Sequence, residues 1–229
     1  MVGRAIFLAC AFAAGPVDAC RLALVLAIDV SSSVNQAEDA LQRQGLARAL
    51  SHDTVQDAFL ISDDPVALFI FEWSGRYNQK ILFDWAVMQD RDDLNRAARH
   101  VAGSQRSHDD SPTALGYALG YAATQFKTAP ACLSRTIDVS GDGQNNEGFG
   151  PRHAYDAFPF DGVTVNALAV VTENAATDLP AYYTRNVLRG AGAFVEIANG
   201  FEDFERAIAR KLQRELTSMI IGALGAPHQ

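Results

Sequence analysis

The chain has 229 residues, 48% apolar and 20% charged, and a formal net charge of −8. This is the composition of a globular protein and excludes a disordered chain; the acidic balance, with no Lys/Arg-rich stretch, excludes nucleic acid as a partner. No apolar run reaches the roughly 20 residues that a membrane-spanning helix needs.

The N-terminus reads as a secretory signal. Arg4 supplies the positive charge, Ala5 to Ala14 (AIFLACAFAA) the short apolar core, and Val17-Asp18-Ala19 a small-residue cleavage site. Residues 1–19 are therefore assigned as signal peptide, 20–218 as the domain and 219–229 as a C-terminal tail. A buried first strand is the alternative for 1–19. Cleavage after Ala19 leaves two cysteines, Cys20 and Cys132, in an oxidising compartment, which means a periplasmic or secreted protein. VDAC also resembles a lipoprotein box, with a lipid anchor at Cys20, but Asp18 fits that box poorly.

From Leu22 onwards, apolar runs alternate with helical patterns. LALVLAI (22–28) is continuous rather than alternating, so it predicts a strand buried on both faces. Asn35 to Leu50 has apolar residues at 37, 40, 41, 46, 49 and 50, a helix with an irregularity expected at Gly45. PVALFIFEW (65–73) and KILFDWAVM (80–88) are strands close enough to form a hairpin. Leu94, Ala97, Ala98 and Val101 mark a helix over 91–103. SPTALGYALGYAATQF (111–126) predicts a helix with Ser111 as N-cap and Pro112 at its first position. Its Gly116 and Gly120 form a smooth strip for close approach to a sheet. RTIDVSGDG (135–143) is a strand and tight turn. VTVNALAVV (163–171) and AFVEIA (193–198) are two more strands, with a helix between them around 179–188. Phe204, Ile208, Leu212 and Leu216 recur every fourth residue in a final helix. The order predicts an α/β fold: a doubly wound, mostly parallel six-stranded sheet with one antiparallel edge strand and helices on both faces.

The chemistry is concentrated where strands end. Asp29-Val30-Ser31-Ser32-Ser33 follows the first buried strand. Thr113 opens the helix after SP, and Asp142 follows the strand at 135–140. Ligands in open parallel sheets sit beyond the carboxyl ends of strands, where connections leave to opposite sides. Carboxylates and hydroxyls without His or Cys suit a hard divalent cation. Alone, Asp-x-Ser-x-Ser is weak, because Asp and Ser also cap helices; the two companions give it weight.

Together these three segments resemble the metal-ion-dependent adhesion site of von Willebrand factor type A domains, and the resemblance in element order covers 21–217. More narrowly, FEWSG (71–75), IDVSGDGQNNEG (137–148), AYYTRNV (181–187) and GAFVEIA (192–198) are similar to a bacterial exported family with this fold, which carries no settled function. The resemblance implies that Asp29, Ser31, Ser33 and Thr113 surround the ion, with Asp142 contacting it directly or through water. The ion would be Mg²⁺, or Mn²⁺ or Ca²⁺, with one position open to an acidic group. Two carboxylates do not over-neutralise a divalent cation, and helix N-termini nearby would favour an incoming carboxylate. In the implied fold the first strand and the strand at 135–140 are adjacent and parallel. Cys20 and Cys132 then fall near the same edge, opposite the metal, which predicts a disulfide between them.

Other signals are weaker. Glu72 and Trp73 end the second strand on the same rim: a neighbour of the ligands and a partner contact, or simply a strand-end carboxylate and a packed aromatic. Asn145, Asn146 and Glu147 shape the rim or form an ordinary surface turn. DGQNNE lacks the spacing of a calcium loop. Asp138 lies within its strand, as structure. The five histidines show no zinc-site spacing, and there is no GxSxG elbow or phosphate-binding loop. AYYT (181–184) reads as helix packing, and MIIGAL (219–224) finishes the last helix or docks on a neighbour. The reading is an exported, metal-dependent protein-binding module that captures an Asp or Glu side chain of a protein partner. The alternatives are a metal-dependent hydrolase, with Glu72 or Glu147 as base, and a structural subunit of an envelope assembly.

Overall fold

The computed structural model describes residues 20–172 and 178–224; the assigned signal segment 1–19 and the last part of the tail, 225–229, lie outside the described residues. Six strands form one sheet: β1 (Cys20–Asp29), β2 (Val66–Trp73), β3 (Gln79–Met88), β4 (Cys132–Gly141), β5 (Val163–Val171) and β6 (Val195–Asn199). The helices are α1 (Gln36–Ser51), α2 (Asp53–Phe59), α3 (Arg91–Ala102), α4 (Leu115–Gln125), α5 (Pro151–Ala157), α6 (Leu179–Asn186) and α7 (Phe204–Leu224). Residues 219–224 thus continue α7.

The strand order is β3-β2-β1-β4-β5-β6, with only the β2–β3 pair antiparallel. The chain works outwards from β1 in one direction, then restarts at β4 and works outwards in the other. The carboxyl ends of β1 and β4 are therefore the topological switch point, where open α/β sheets bind ligands. Asp29 ends β1, and Asp142 follows β4 directly.

The continuous apolar run of β1 is explained by two cores. All ten of its residues are buried. Leu22, Leu24, Leu26 and Ile28 join a core built with α1, α2, α3 and α7, whereas Ala23, Val25 and Ala27 join one built with α4, α5 and α6. The large residues thus face the α1/α7 layer, and the small ones let α4 approach. Cutting a fully buried leucine such as Leu24 to alanine costs about 2–5 kcal/mol in such an environment. Phe204, Ile208, Leu212 and Leu216 are all buried, so the four-residue repeat is the face of α7 that seals the first core.

Four local expectations change. Helix α1 runs unbroken through Gly45, whose missing side chain instead admits α7: a Cβ there would lie 3.2 Å from the Glu205 backbone nitrogen. Helix α4 starts at Leu115 rather than after Ser111, because Ser111 to Thr113 bond to neighbouring loops instead of to a helical turn. The Gly116/Gly120 strip meets the Phe149–Gly150 backbone and the Phe158 ring, not the sheet. Strand β6 begins at Val195, two residues later than its apolar run. Cys20 and Cys132 are register partners at the start of β1 and β4 and are disulfide-bonded, which takes up the sulfur that a lipid anchor would need.

Candidate metal centre

Three loops meet above β1 and β4. The first leaves β1 through Val30 to Ser33 and enters α1, capped by Asn35: its side chain accepts from Ala37 and Glu38 N–H, and Glu38 returns a bond to Asn35 N–H. Asn35 meets the capping need, so Ser31 and Ser33 are left for other partners. The second loop precedes α4 and carries Thr113. The third follows β4 and carries Asp142.

The loops are tied to one another by backbone bonds and by asparagine side chains. Ser32 N–H donates to the Ser111 carbonyl at 2.8 Å. Thr113 N–H donates to Asn146 Oδ1 at 2.8 Å, and Asn146 N–H returns to the Thr113 carbonyl at 3.0 Å. Asn145 Oδ1 accepts from Gly116 N–H at 3.1 Å, and its amide donates to the Glu147 carbonyl at 3.2 Å. The two asparagines therefore lace the Asp142 loop to the start of α4.

The five side chains from the three sequence segments form one chain of contacts. Thr113 Oγ1 lies 3.2 Å from Ser31 Oγ, Ser31 Oγ lies 3.2 Å from Ser33 Oγ, and Ser33 Oγ donates to Asp142 Oδ1 at 2.6 Å. Asp29 Oδ1 accepts from Ser31 N–H at 2.8 Å, and the Asp29 carbonyl is held by Gln42 Nε2 at 2.8 Å. Behind Asp29, the α6 residue Tyr183 donates to the Gly143 carbonyl at 3.2 Å. A Cβ at Gly141 would lie 2.7 Å from both Asp29 Oδ2 and the Tyr183 hydroxyl, so this glycine gives the carboxylate its space.

The electrostatics suit a cation. Asp29 is fully buried, and its Oδ2 has no hydrogen-bond partner among the described residues. Burial first, and the Asp142 carboxylate second, push Asp29 up to about 7, against the pull of its bonds to Ser31 and the charge of Arg106. Asp142 is also raised, chiefly by burial, although Ser33 and its own backbone hold it down in part. A fully buried carboxylate with an unpaired oxygen, repelled by a second, half-buried carboxylate, fits a divalent cation. Among the described residues no group of three or more His, Cys, Asp or Glu could hold a metal. The donor set here is two carboxylates and three hydroxyls.

The remaining sequence candidates have definite places. Trp73 is completely buried in the α4-side core, so it offers no surface to a partner. Glu72 is equally buried; it accepts from Arg43 at 2.5 Å and from Ser107 N–H at 2.9 Å. Glu147 pairs with Arg76. Asp138 pairs with Lys211 beneath α7, away from the site. Tyr183, Gln42 and Arg106 have roles that no sequence motif signalled. AYYT read only as packing, and nothing marks a lone Gln or Arg as a support before the loops are assembled.

The family profile described as "Protein of unknown function (DUF1194)" matches residues 19–220. No curated protein matches the chain. Among solved structures, the chain is similar to proximal thread matrix protein 1 from the mussel byssus with a zinc-occupied MIDAS motif (TM-score 0.60, 15% identity, 87% of this chain and 48% of that one). It is similar to a von Willebrand factor type A protein from Catenulispora acidiphila (TM-score 0.55, 15% identity, 88% and 43%). It is also similar to the pilus adhesin SpaC from Lactobacillus rhamnosus GG in its open conformation (TM-score 0.61, 11% identity, 89% and 30%). The chain thus spans about half or less of each of these structures, and at such identities the likeness shows the fold: von Willebrand factor A-like.

Proposed function

The chain belongs to the DUF1194 family, and from the site that its fold assembles we propose that it is an exported module that binds a divalent cation and, through it, an acidic side chain of a partner protein. Asp29, Ser31, Ser33, Thr113 and Asp142 would hold the ion. Bound there, the ion supplies an electrophilic position that a partner's Asp or Glu carboxylate can complete. The observation that carries the reading is the unpaired, buried Asp29 Oδ2 beside a second carboxylate and three hydroxyls. Oxygen donors alone favour Mg²⁺, Mn²⁺ or Ca²⁺ over softer ions. The zinc-occupied motif of the mussel protein and the adhesin SpaC among the similar structures support a cation and a binding role. The Cys20–Cys132 disulfide supports a periplasmic or secreted location.

Both carboxylates considered as a hydrolytic base are already engaged, Glu72 by Arg43 and Ser107 and Glu147 by Arg76. That favours binding over hydrolysis. The test is Mn²⁺ titration followed by electron paramagnetic resonance, with glutamate-containing and glutamine-containing peptides added afterwards. The reading expects one bound Mn²⁺, lost in Asp142→Ala, whose spectrum changes with the glutamate peptide alone. Equal responses to the two peptides would refute capture of a carboxylate; the same bound signal in Asp142→Ala would refute the site.

A further inference from the structure

We propose that Arg106 is a positioning residue for the cation site: a clamp that holds the Val30–Val34 loop in the shape that presents Ser31 and Ser33. The proposal rests on the metal reading above. Arg106 lies on the segment between α3 and α4, and its side chain is only 9% exposed. Its Nη2 donates to the Val30 carbonyl at 2.8 Å and the Ser31 carbonyl at 2.9 Å, and its Nη1 to the Val34 carbonyl. Its Nε donates to the His108 carbonyl at 2.6 Å. One guanidinium thus gathers three carbonyls of a five-residue loop, while the hydroxyls of that loop meet Thr113 and Asp142. Bonds from a charged donor are about twice as strong as neutral ones, and the planar fork fixes their directions. The ion pair with Asp109 is long, at 3.6 Å, and Asp109 is almost fully exposed, so it contributes little.

The segment carrying Arg106 is itself anchored. Ser107 N–H donates to Glu72 Oε1 at 2.9 Å, Arg43 reaches Glu72 Oε2 at 2.5 Å, and Arg43 also reaches Ser104 Oγ at 2.7 Å. Asp39 holds Arg43 through both carboxylate oxygens at 2.9 Å. Glu72, at the end of β2, therefore acts on the site through this strap rather than as a ligand.

Charge and position predict opposite outcomes for removing Arg106. A cation beside a cation site weakens metal binding, so loss of the charge alone would tighten it. Loss of the clamp would loosen the loop and weaken binding. Arg106→Lys keeps the charge without the fork; Arg106→Gln removes both. The experiment measures Mn²⁺ affinity by electron paramagnetic resonance at 20 °C and pH 8, with the thermal midpoint in EDTA taken alongside. The clamp predicts that both variants stay folded at 20 °C and bind Mn²⁺ at least about tenfold more weakly, the scale seen when supports behind metal ligands are removed. Affinity within twofold of wild type, even with a lower midpoint, would overturn it and leave Arg106 as a brace of the fold. Tighter binding by Arg106→Gln would also overturn it. If neither variant folds, Glu72→Gln loosens the same strap and is judged by the same two outcomes. A wild-type chain that binds no Mn²⁺ would overturn the clamp and the metal reading together; failure of the variants alone leaves the metal reading standing.

Discussion

Replacing both Cys20 and Cys132 with serine should lower stability without disturbing the site at the other end of the same strands. The bond joins residues 112 apart in sequence. In the chain-entropy account, closing a loop of that length restrains the unfolded chain by about 5 kcal/mol at 25 °C. For domains of this size ~1 kcal/mol moves the midpoint by ~2–4 °C, so the expected fall is about 10–20 °C. The β1–β4 ladder runs from Leu22↔Ser134 to Ile28↔Ser140 without the bond, so the relative placement of Asp29 and Asp142 does not depend on it. The assay is thermal unfolding followed by circular dichroism, with Mn²⁺ affinity measured at 20 °C on both proteins. A midpoint within about 3 °C of wild type under non-reducing conditions would refute the entropic argument. A large loss of Mn²⁺ affinity in the folded variant would refute the claim that the ladder alone sets the site.

Two further predictions follow from buried contacts. Gly141→Ala should abolish the cation response and cost about 1–3 kcal/mol, because the new methyl collides with Asp29 Oδ2 and Tyr183; unchanged metal affinity with calorimetry would show that the carboxylate can move aside. Glu215, on the buried face of α7 beside Asp138 and Asn166 and 3.7 Å from Lys211, is held well above the usual glutamate range by burial first and by Asp138 next, with Lys211 opposing. A carboxyl raised on folding contributes stability that is complete below its unfolded value of 4.5 and is lost as pH rises towards its folded value. Glu215→Gln removes that loss, so its midpoint relative to wild type should climb between pH 4.5 and pH 8; a flat or falling difference would count against the assignment.

The sequence made the sheet and the candidate ligand cluster legible for physical reasons. A strand buried on both faces must be continuously apolar, as β1 is, and a four-residue repeat must face a core, as α7 does. Five oxygen-bearing residues at two adjacent strand ends and one helix start are too specific a set for capping alone, and Asn35, not the serines, proves to be the cap. What remained hidden depends on contacts between segments far apart in the chain. The late start of α4 follows from bonds that Ser111 and Thr113 make to the loops at 32 and 146. Glycines 116 and 120 announced a close approach, but the partner expected from the sequence was the sheet, and the actual one is the Phe149–Phe158 segment. Arg106 sits in a polar loop with no periodicity, 72 to 76 residues from the carbonyls it binds.

The central claim is tested most directly by the thermal midpoint of the wild-type chain and of Asp142→Ala, each in EDTA and in excess Mg²⁺. An ion bound only by the folded state at ~100 times its dissociation constant stabilises by about 2.7 kcal/mol, which for this size is about 5–11 °C. The account predicts a rise of that order in wild type and none in Asp142→Ala. Identical behaviour of the two proteins, whether both respond or neither does, would contradict it.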